Sequence, residues 1–441
     1  VYLTSEALQA ALMPYEAAKH IYIAYSGGMD SHVLLHLCSS IPKIRPQLSA
    51  VYINHGLQVE AGDWAEHCAA AASALNIAFQ TINVQVVCKT GNSLEEAARI
   101  ARYQALQALL QTGDVLLVAQ HQDDQLETVL LQLFRGCGLP GLSAMPASCQ
   151  LGKGTLLRPL LGSTRECIEK YARQHDLQWV EDASNQDNAF NRNFLRNAVI
   201  PLLKQRWPAL QKTVARSAGH CAQAQLLIDG IVSDIFSSVY APAERALKIS
   251  ALLQLDRYQQ CLVVRKWFAE NGLRMPSENI LEKIFSNVIA AKADREPCIQ
   301  VQNHQVRRYK NKLYLTSGRV ASASKQIFPW PEAMKQMYLP DNGSLRIVPC
   351  ADGIAVDSWQ KAAVTVRYRR GGESIRLPGR TGRQRLKKLF QETAVPSWQR
   401  AVIPLIFLDE KLAAVADLWV STEFISAQKN NAWKVLWERE K

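Results

Sequence analysis

The chain has little that would place it in several large protein classes. It has ten cysteines, yet no Cys-x-x-Cys occurs. Cys38, Cys68, Cys88, Cys137, Cys149, Cys167, Cys221, Cys261, Cys298 and Cys350 are scattered, most of them in apolar helix or strand patterns. A zinc or iron–sulfur centre needs clustered ligands, so these thiols read as small hydrophobes. No apolar run approaches the roughly 20 residues that span a bilayer. The stretch Val1-Tyr-Leu-Thr-Ser-Glu6 lacks the basic-then-apolar order of a signal peptide. A cytoplasmic enzyme is therefore the expectation. Internal repeats and low-complexity tracts are missing as well. So is Gly-x-x-x-x-Gly-Lys followed by Ser or Thr, which excludes the usual mononucleotide P-loop. Gly136-Cys-Gly-Leu-Pro-Gly141 matches a dinucleotide fingerprint in form only. It follows a helical pattern instead of a strand, and Pro140 is expected to spoil entry to a new helix.

What is present describes an ordinary globular protein of several domains. At 441 residues the chain exceeds what one core holds, and two to four domains are expected. Apolar residues make up 48% and charged residues 20%. The net charge of +12 points to a polyanionic partner.

One stretch organises the rest: His20-Ile-Tyr-Ile-Ala-Tyr-Ser-Gly-Gly-Met-Asp-Ser31. Residues 20–25 read as a short apolar strand. Ser26, Gly27 and Gly28 form a hinge that few side chains could occupy. From Met29 a helix follows, with Val33, Leu34, Leu35 and Leu37 to bury. A strand turning through small residues into a helix leaves backbone N–H groups pointing outward. The helix dipole adds partial positive charge, which makes an anion site.

Apolar strands then alternate with amphipathic helices. Strands are expected at 48–54, 78–87, 114–119 and 156–160. Helices are expected at 63–75, through 110 after a Ser93-x-x-Glu96 capping box, at 122–134, and at 164–175 after a Ser163-x-x-Glu166 box. This pattern predicts an α/β domain with a parallel sheet covered on both faces. Ligands on such sheets bind at the carboxyl ends of the strands. Ser26–Ser31, Asn54-His55 and His121–Asp124 should then share one crevice. Helical periodicity runs from about 197 to 293, a strand pair surrounds Asn311, and strands dominate after about 336. The expected domains are a nucleotide-binding catalytic domain over 1–215, a mainly helical domain over 216–317, and a small mixed domain over 332–441.

Chemistry-bearing residues cluster at few places. Asp123, Asp124 and Glu127 fall in the first turns of the helix after the fourth strand, beside His121. Acids there complement a helix dipole in any protein. At the mouth of a phosphate site they could also hold Mg²⁺ or an ammonium group. Arg99 and Arg102 are three apart and share a helix face. Residues 361–400 carry eleven basic side chains against two acidic ones, nine of the net +12, with Tyr368, Phe390 and Trp398 interleaved. Basic clusters with aromatics suit RNA.

Ser26-Gly-Gly-Met-Asp-Ser31 resembles the signature of the PP-loop ATP pyrophosphatases. Further motifs follow: His121-x-x-Asp-Asp-x-x-Glu-Thr128, Arg135-Gly-Cys-Gly-Leu-Pro-Gly141, Arg158-Pro-Leu-Leu161 and Asp182-x-Ser-Asn…Arg192-Asn…Arg196. They stand in the order seen in the tRNA(Ile)-lysidine synthetase family. Lys387-Lys-Leu-Phe-Gln…Val395-Pro-x-Trp398 looks like that family's last domain. One departure is Gln58, where the family usually has Arg. The resemblance implies ATP with Mg²⁺ at Ser26, Gly27, Gly28, Met29, Asp30 and Ser31. It implies catalytic roles for Asp30, Asp124, Glu127 and either Arg99 or Arg102, with free L-lysine held by Asp124 and Glu127. It implies a tRNA(Ile) with a CAU anticodon as substrate. For the tRNA the expected contacts are Arg192, Arg196, Arg380, Arg383, Lys387 and Lys388. A homodimer is left open by the sequence. A tRNA thiolase would need a cysteine pair beside these motifs. A glutamine-dependent synthetase would need a glutaminase domain. An RNA-binding protein without catalysis would not need Asp30, Asp124 and Arg102.

Overall fold

Along the first sheet, apolar side chains alternate between two faces, and each face has its own core. The computed structural model describes residues 3–57, 61–87, 94–292, 295–317, 326–331, 334–426 and 431–439. By its contacts the chain divides into two units, Val1–Gly230 and Ile231–Lys441.

The first unit begins with α1 (Ser5–Leu12), β1 (Ile21–Ala24), α2 (Met29–Ser39), β2 (Leu48–Asn54), α3 (Ala61–Ala74), β3 (Ala78–Asn83) and α4 (Leu94–Leu109). It continues with β4 (Val115–Leu117), α5 (Gln122–Phe134), α6 (Leu139–Leu142), β5 (Ser148–Leu151), β6 (Gly154–Leu157) and α7 (Arg165–Gln174). Three further helices close it: α8 (Asn191–Phe194), α9 (Ile200–Arg206) and α10 (Leu210–Val239). The sheet order is β3-β2-β1-β4-β6-β5. All neighbours are parallel except β5 and β6. Ile21 and Ile23 of β1 enter one core with Leu48, Ala50 and Tyr52 of β2 and with the buried side of α2. Val51, Ile53, Leu116 and Leu156 enter the other, with Leu106 and Leu110. Successive strand side chains point to opposite faces, so a sheet covered on both sides needs continuous apolar strands. In α2, Val33, Leu34, Leu35 and Leu37 are fully buried. Each contributes about 1.5–3 kcal/mol by its removal from water.

Several expectations change in detail. Helix α7 is capped by Thr164, whose hydroxyl accepts from the Cys167 amide, so Ser163 does not form the cap. Pro140 does not block a helix; it sits in the first turn of α6. The missing proline N–H is one that a first turn leaves unpaired in any case. The edge strand β5 makes the sheet mixed. Ser93 and Gln58 lie outside the described residues.

The second unit starts within α10 and holds β7 (Tyr240–Ala241), β8 (Ala246–Lys248), α11 (Ile249–Leu252), α12 (Arg257–Glu270) and α13 (Glu278–Lys283). Three strands follow where a pair was expected: β9 (Cys298–Val301), β10 (His304–Tyr309) and β11 (Lys312–Ser317). They complete a sheet ordered β7-β8-β11-β10-β9, so this segment is not purely helical. Trp267, Phe268, Ile284 and Val306 fill the core between its helices and sheet. Residues 328–438 form sheets of five, four and two strands around Trp330, Trp359, Phe390 and Ile406. Trp398 packs edge-on against Tyr309 and Tyr314 at ring separations of 6.0 and 5.5 Å, with the Arg307 guanidinium 5.3 Å from its ring. Arg400 donates to the Tyr309 hydroxyl at 3.1 Å. Among the described residues no helix is long and apolar enough to cross a membrane.

Candidate active site

Strands β1 and β4 are neighbours at the point where the strand order reverses, which is where open α/β sheets bind ligands. Two chain segments meet there. The first is the loop after β1. Gly27 has φ +80°, and a Cβ on it would lie 2.9 Å from Cys68 Sγ, so glycine is required by both conformation and space. Gly28 differs from expectation. Its φ is −73°, and a Cβ there would meet only Ser26 Oγ, at 3.6 Å. Its small size keeps the loop open but is not required by the backbone. Ser31 Oγ donates to Gly28 O at 2.9 Å and accepts from the Ser26 amide at 3.2 Å, which closes the turn on itself. The Gly27 carbonyl accepts from the Val180 amide at 3.0 Å. Helix α2 has no side-chain N-cap, so its first-turn N–H groups remain for an anion.

The second segment is the start of α5. His121 is its N-cap and is 1% exposed. Its Nδ1 accepts from the Asp123 amide at 3.2 Å, while the His121 amide donates to Asp124 Oδ2 at 2.9 Å. This reciprocal cap leaves Nε2–H to face two carboxylates. Nε2 lies 3.5 Å from Asp30 Oδ2 and 3.4 Å from Asp124 Oδ2. Burial disfavours an imidazolium here, but the Asp30, Asp124 and Asp123 carboxylates outweigh it and hold the His121 pKa above its ordinary value.

Beyond His121 lies a network of buried charge. Arg192 donates to Asp124 Oδ1 at 2.8 Å and to Glu127 Oε2 at 2.5 Å. Arg196 donates to Glu127 Oε1 at 2.6 Å and Oε2 at 3.0 Å. Burial pulls both arginine pKa values down, and the two carboxylates more than compensate. Burial likewise opposes the Asp124 anion, but His121 and both arginines depress its pKa. Asp123 points elsewhere. It accepts from Lys204 at 2.8 Å, Gln211 at 3.1 Å and the Arg165 amide at 3.0 Å. These partners overcome its burial and hold its pKa at about 2. Leu126, Leu195 and Ile200 form the small apolar core that positions α5 against the 191–206 segment.

This geometry bears on two expectations. Glu127 was expected to meet a free ammonium group, yet both its oxygens accept arginine N–H groups and it is 1% exposed. Arg192 and Arg196 were expected on tRNA phosphates, yet they turn inward onto Asp124 and Glu127. Arg99 and Arg102 both lie over the Tyr103 ring, at 5.0 and 5.7 Å. Sequence reasoning did not foresee Lys204 and Gln211 as partners of Asp123. They lie 81 and 88 residues away, and nothing local marks them. Among the described residues no three His, Cys, Asp or Glu side chains form a metal cage, and the cysteines are free.

The chain matches the PP-loop domain family over residues 3–203, the TilS substrate binding domain over 247–314 and the TilS substrate C-terminal domain over 364–437. It is 39% identical to a tRNA(Ile)-lysidine synthase of Coxiella burnetii, across 98% of this chain and 96% of that one. It is 40% identical to that of Pectobacterium atrosepticum, across 98% of each. The chain belongs to the tRNA(Ile)-lysidine synthase family. A solved U34-tRNA thiolase, NcsA of Methanococcus maripaludis, overlays 49% of this chain and 77% of its own at 14% identity, with a TM-score of 0.42.

The lysidine synthase C-terminal segment carries the basic residues, and the fold revises how they are read. Tyr368 is buried and accepts from Asn342, Phe390 is fully buried beside Trp419, and Trp398 is packed as described above. Tyr368 and Phe390 are therefore core side chains, while Trp398 is partly buried. Arg380 pairs with Glu392 at 2.7 Å and Lys388 approaches the same carboxylate at 4.0 Å. Arg383 pairs with Glu423 at 2.8 Å and Arg367 with Glu410 at 2.8 Å. Glu410 and Glu423 come from outside 361–400, so the folded face is less basic than the linear count. Lys387, Arg376 and Arg385 are exposed.

Proposed function

We propose that this chain ligates free L-lysine to C2 of the wobble cytidine of a tRNA(Ile) with a CAU anticodon, using ATP and working in the cytoplasm. The reading is supported by family membership over nearly the full chain and by one observation above all. An uncapped phosphate loop and a buried carboxylate–arginine network are joined through His121. The triphosphate seats on the loop. The cytidine O2 attacks the α-phosphate, the bond to pyrophosphate breaks, and loop amides stabilise the leaving pyrophosphate. Arg102 or Arg99 neutralises charge at the α-phosphate. The lysine ε-amine, after losing a proton, attacks C2, and the C2–O bond breaks to release AMP.

The network suits an amino acid, which carries charges of both signs. Asp30, Asp123, Asp124 and Glu127 face Arg192, Arg196, Lys204 and His121, so groups of both signs stand together. In this reading the side-chain ammonium is drawn to Asp124, and an arginine receives the carboxylate. Glu127 acts by holding both arginines in place. For Mg²⁺ the residues fit a shared site. Asp30 Oδ1 is shielded and has no hydrogen-bond partner among the described residues, and Mg²⁺ commonly takes one carboxylate plus phosphate oxygens. Bound there, it would neutralise phosphate charge. The exposed ion pairs of the C-terminal segment are worth about 0–1 kcal/mol each, so tRNA phosphates can replace their carboxylates.

The test is transfer of radiolabelled lysine into a CAU tRNA in the presence of ATP. Label should enter that tRNA and not one with a different wobble base. Absence of label in the CAU tRNA would sink the reading.

A further inference from the structure

Trp207 stands in water beside the segment that carries the charged network. Of the ten tryptophans it alone is exposed, at 56%. A single apolar side chain at a surface is ordinary. What marks this one is how it is held and what surrounds it.

The backbone there is fixed. The Trp207 amide donates to Leu203 O at 2.8 Å as α9 ends, and its carbonyl accepts from the Leu210 amide at 3.0 Å as α10 begins. Pro208 follows, and the residue before a proline is kept out of helical conformation. Trp207 accordingly has φ −127° and ψ 82°. On either side of this turn the chain is tied to the start of α5. Lys204 and Gln211 both donate to Asp123 Oδ1, at 2.8 and 3.1 Å. Leu210 packs on the small core around Leu126. Trp207 therefore lies between two ties to the same carboxylate, and that carboxylate sits in the first turn of the helix that His121 caps.

Charge narrows the partner. Residues 188–228 contain no Asp or Glu and carry Arg192, Arg196, Lys204, Arg206, Lys212 and Arg216. Arg192, Arg196 and Lys204 pair with Asp124, Glu127 and Asp123. Arg206, Lys212 and Arg216 are exposed, and none has an acidic partner among the described residues. On α10, Lys212 and Arg216 share a face. A second copy of this chain would bring the same basic run and be repelled. An unpaired RNA base offers a flat face to the indole and phosphates to the cations.

We propose that Trp207 is a stacking platform for an unpaired base of the tRNA, one that neighbours the reacting cytidine in the anticodon loop. Arg206, Lys212 and Arg216 take the adjoining phosphates. Asp123 is a positioning residue: through Lys204 and Gln211 it sets where the platform stands relative to His121. The inference deepens the tRNA reading and depends on it.

The test measures binding of a CAU tRNA to the full chain over a series of salt concentrations. The variants are Trp207→Ala, Trp207→Phe and the double variant Arg206→Ala with Lys212→Ala. Stacking displaces no counterions, whereas each phosphate contact adds about 0.7–0.9 to the salt slope. Trp207→Ala should weaken binding about tenfold at every salt concentration, with an unchanged slope. Its melting temperature should match that of wild type, as should its Michaelis constant for ATP at saturating tRNA. Trp207→Phe keeps a ring and should recover most of the loss. The double variant should flatten the slope by about 1.5. Unchanged tRNA affinity in Trp207→Ala would overturn the inference, as would a loss that Phe does not recover. A smaller mass for Trp207→Ala than for wild type by light scattering would also overturn it, by putting Trp207 at a contact between copies. A wild-type protein that does not bind the CAU tRNA would refute the tRNA reading itself, which is a separate result.

Discussion

Asp30 Oδ2 and His121 Nε2 face each other at 3.5 Å. One residue lies in the first turn of α2, the other caps the helix after β4. Through this pair the phosphate site and the buried network of Asp124, Glu127, Arg192 and Arg196 become one charged surface.

The two loop glycines should separate in their effects. Gly27→Ala forces a side chain into φ +80° and against Cys68 Sγ, so it should destabilise the first unit and abolish ATP binding. Gly28→Ala should fold with an unaltered melting temperature and only weaken ATP. Calorimetry with ATP titration checks both, and equal melting temperatures for the two variants would contradict the geometry.

Glu127→Gln leaves Arg192 and Arg196 short of a buried partner charge. It should lower stability by about 3–5 kcal/mol. Adding Arg196→Gln should restore part of that loss. Denaturant unfolding of the single and double variants measures the coupling, and simple additivity would rule out a shared network. The milder Asp124→Asn should impair lysine use more than tRNA adenylation. Equal loss of both steps would point to a role at the phosphates instead.

Asp123 makes an acid-sensitive contribution. Its folded pKa, about 2, lies below the unfolded value of roughly 3.9. The stabilisation is therefore complete above about pH 4 and disappears as pH falls toward 2. Asp123→Asn should cost about 2 kcal/mol at pH 7. The gap from wild type should close by pH 2, and a gap that stays constant with pH would mean the carboxylate charge is not what holds Lys204.

The exposed basic residues of the C-terminal segment should govern tRNA affinity. Each phosphate contact adds about 0.7–0.9 to the slope of log affinity against log salt. Replacing Arg380, Arg383, Lys387 and Lys388 with Ala should weaken tRNA binding and flatten that slope, leaving the Michaelis constant for ATP nearly unchanged. Unaltered affinity and slope would make these residues a solvated face.

Much of the first unit could be read from sequence because its signals are local. Strand Leu48–Asn54 and helix Gln122–Phe134 end where their patterns end, since a fully covered sheet needs unbroken apolar strands. The loop after β1 was legible from its small residues. What stayed hidden depends on distant partners. Glu127 was expected on lysine and Arg192 on tRNA, and nothing local revealed that they pair across 65 residues. Glu410 and Glu423 lie outside the basic stretch they partly neutralise. Tyr368 and Phe390 read as part of an RNA-binding cluster because burial by another segment leaves no local mark. The cap of α7 moved by one residue because Ser163 and Thr164 are adjacent and both residue types serve as N-caps.

The most direct test is which substrate each product requires. Purified protein is mixed with ATP and Mg²⁺, with or without a CAU tRNA and with or without lysine, and pyrophosphate and AMP are followed separately. The account predicts pyrophosphate release that requires the tRNA and not lysine, and AMP release that requires both. Pyrophosphate released with lysine alone, in the absence of tRNA, would mean that the amino acid is the group activated, and would contradict it.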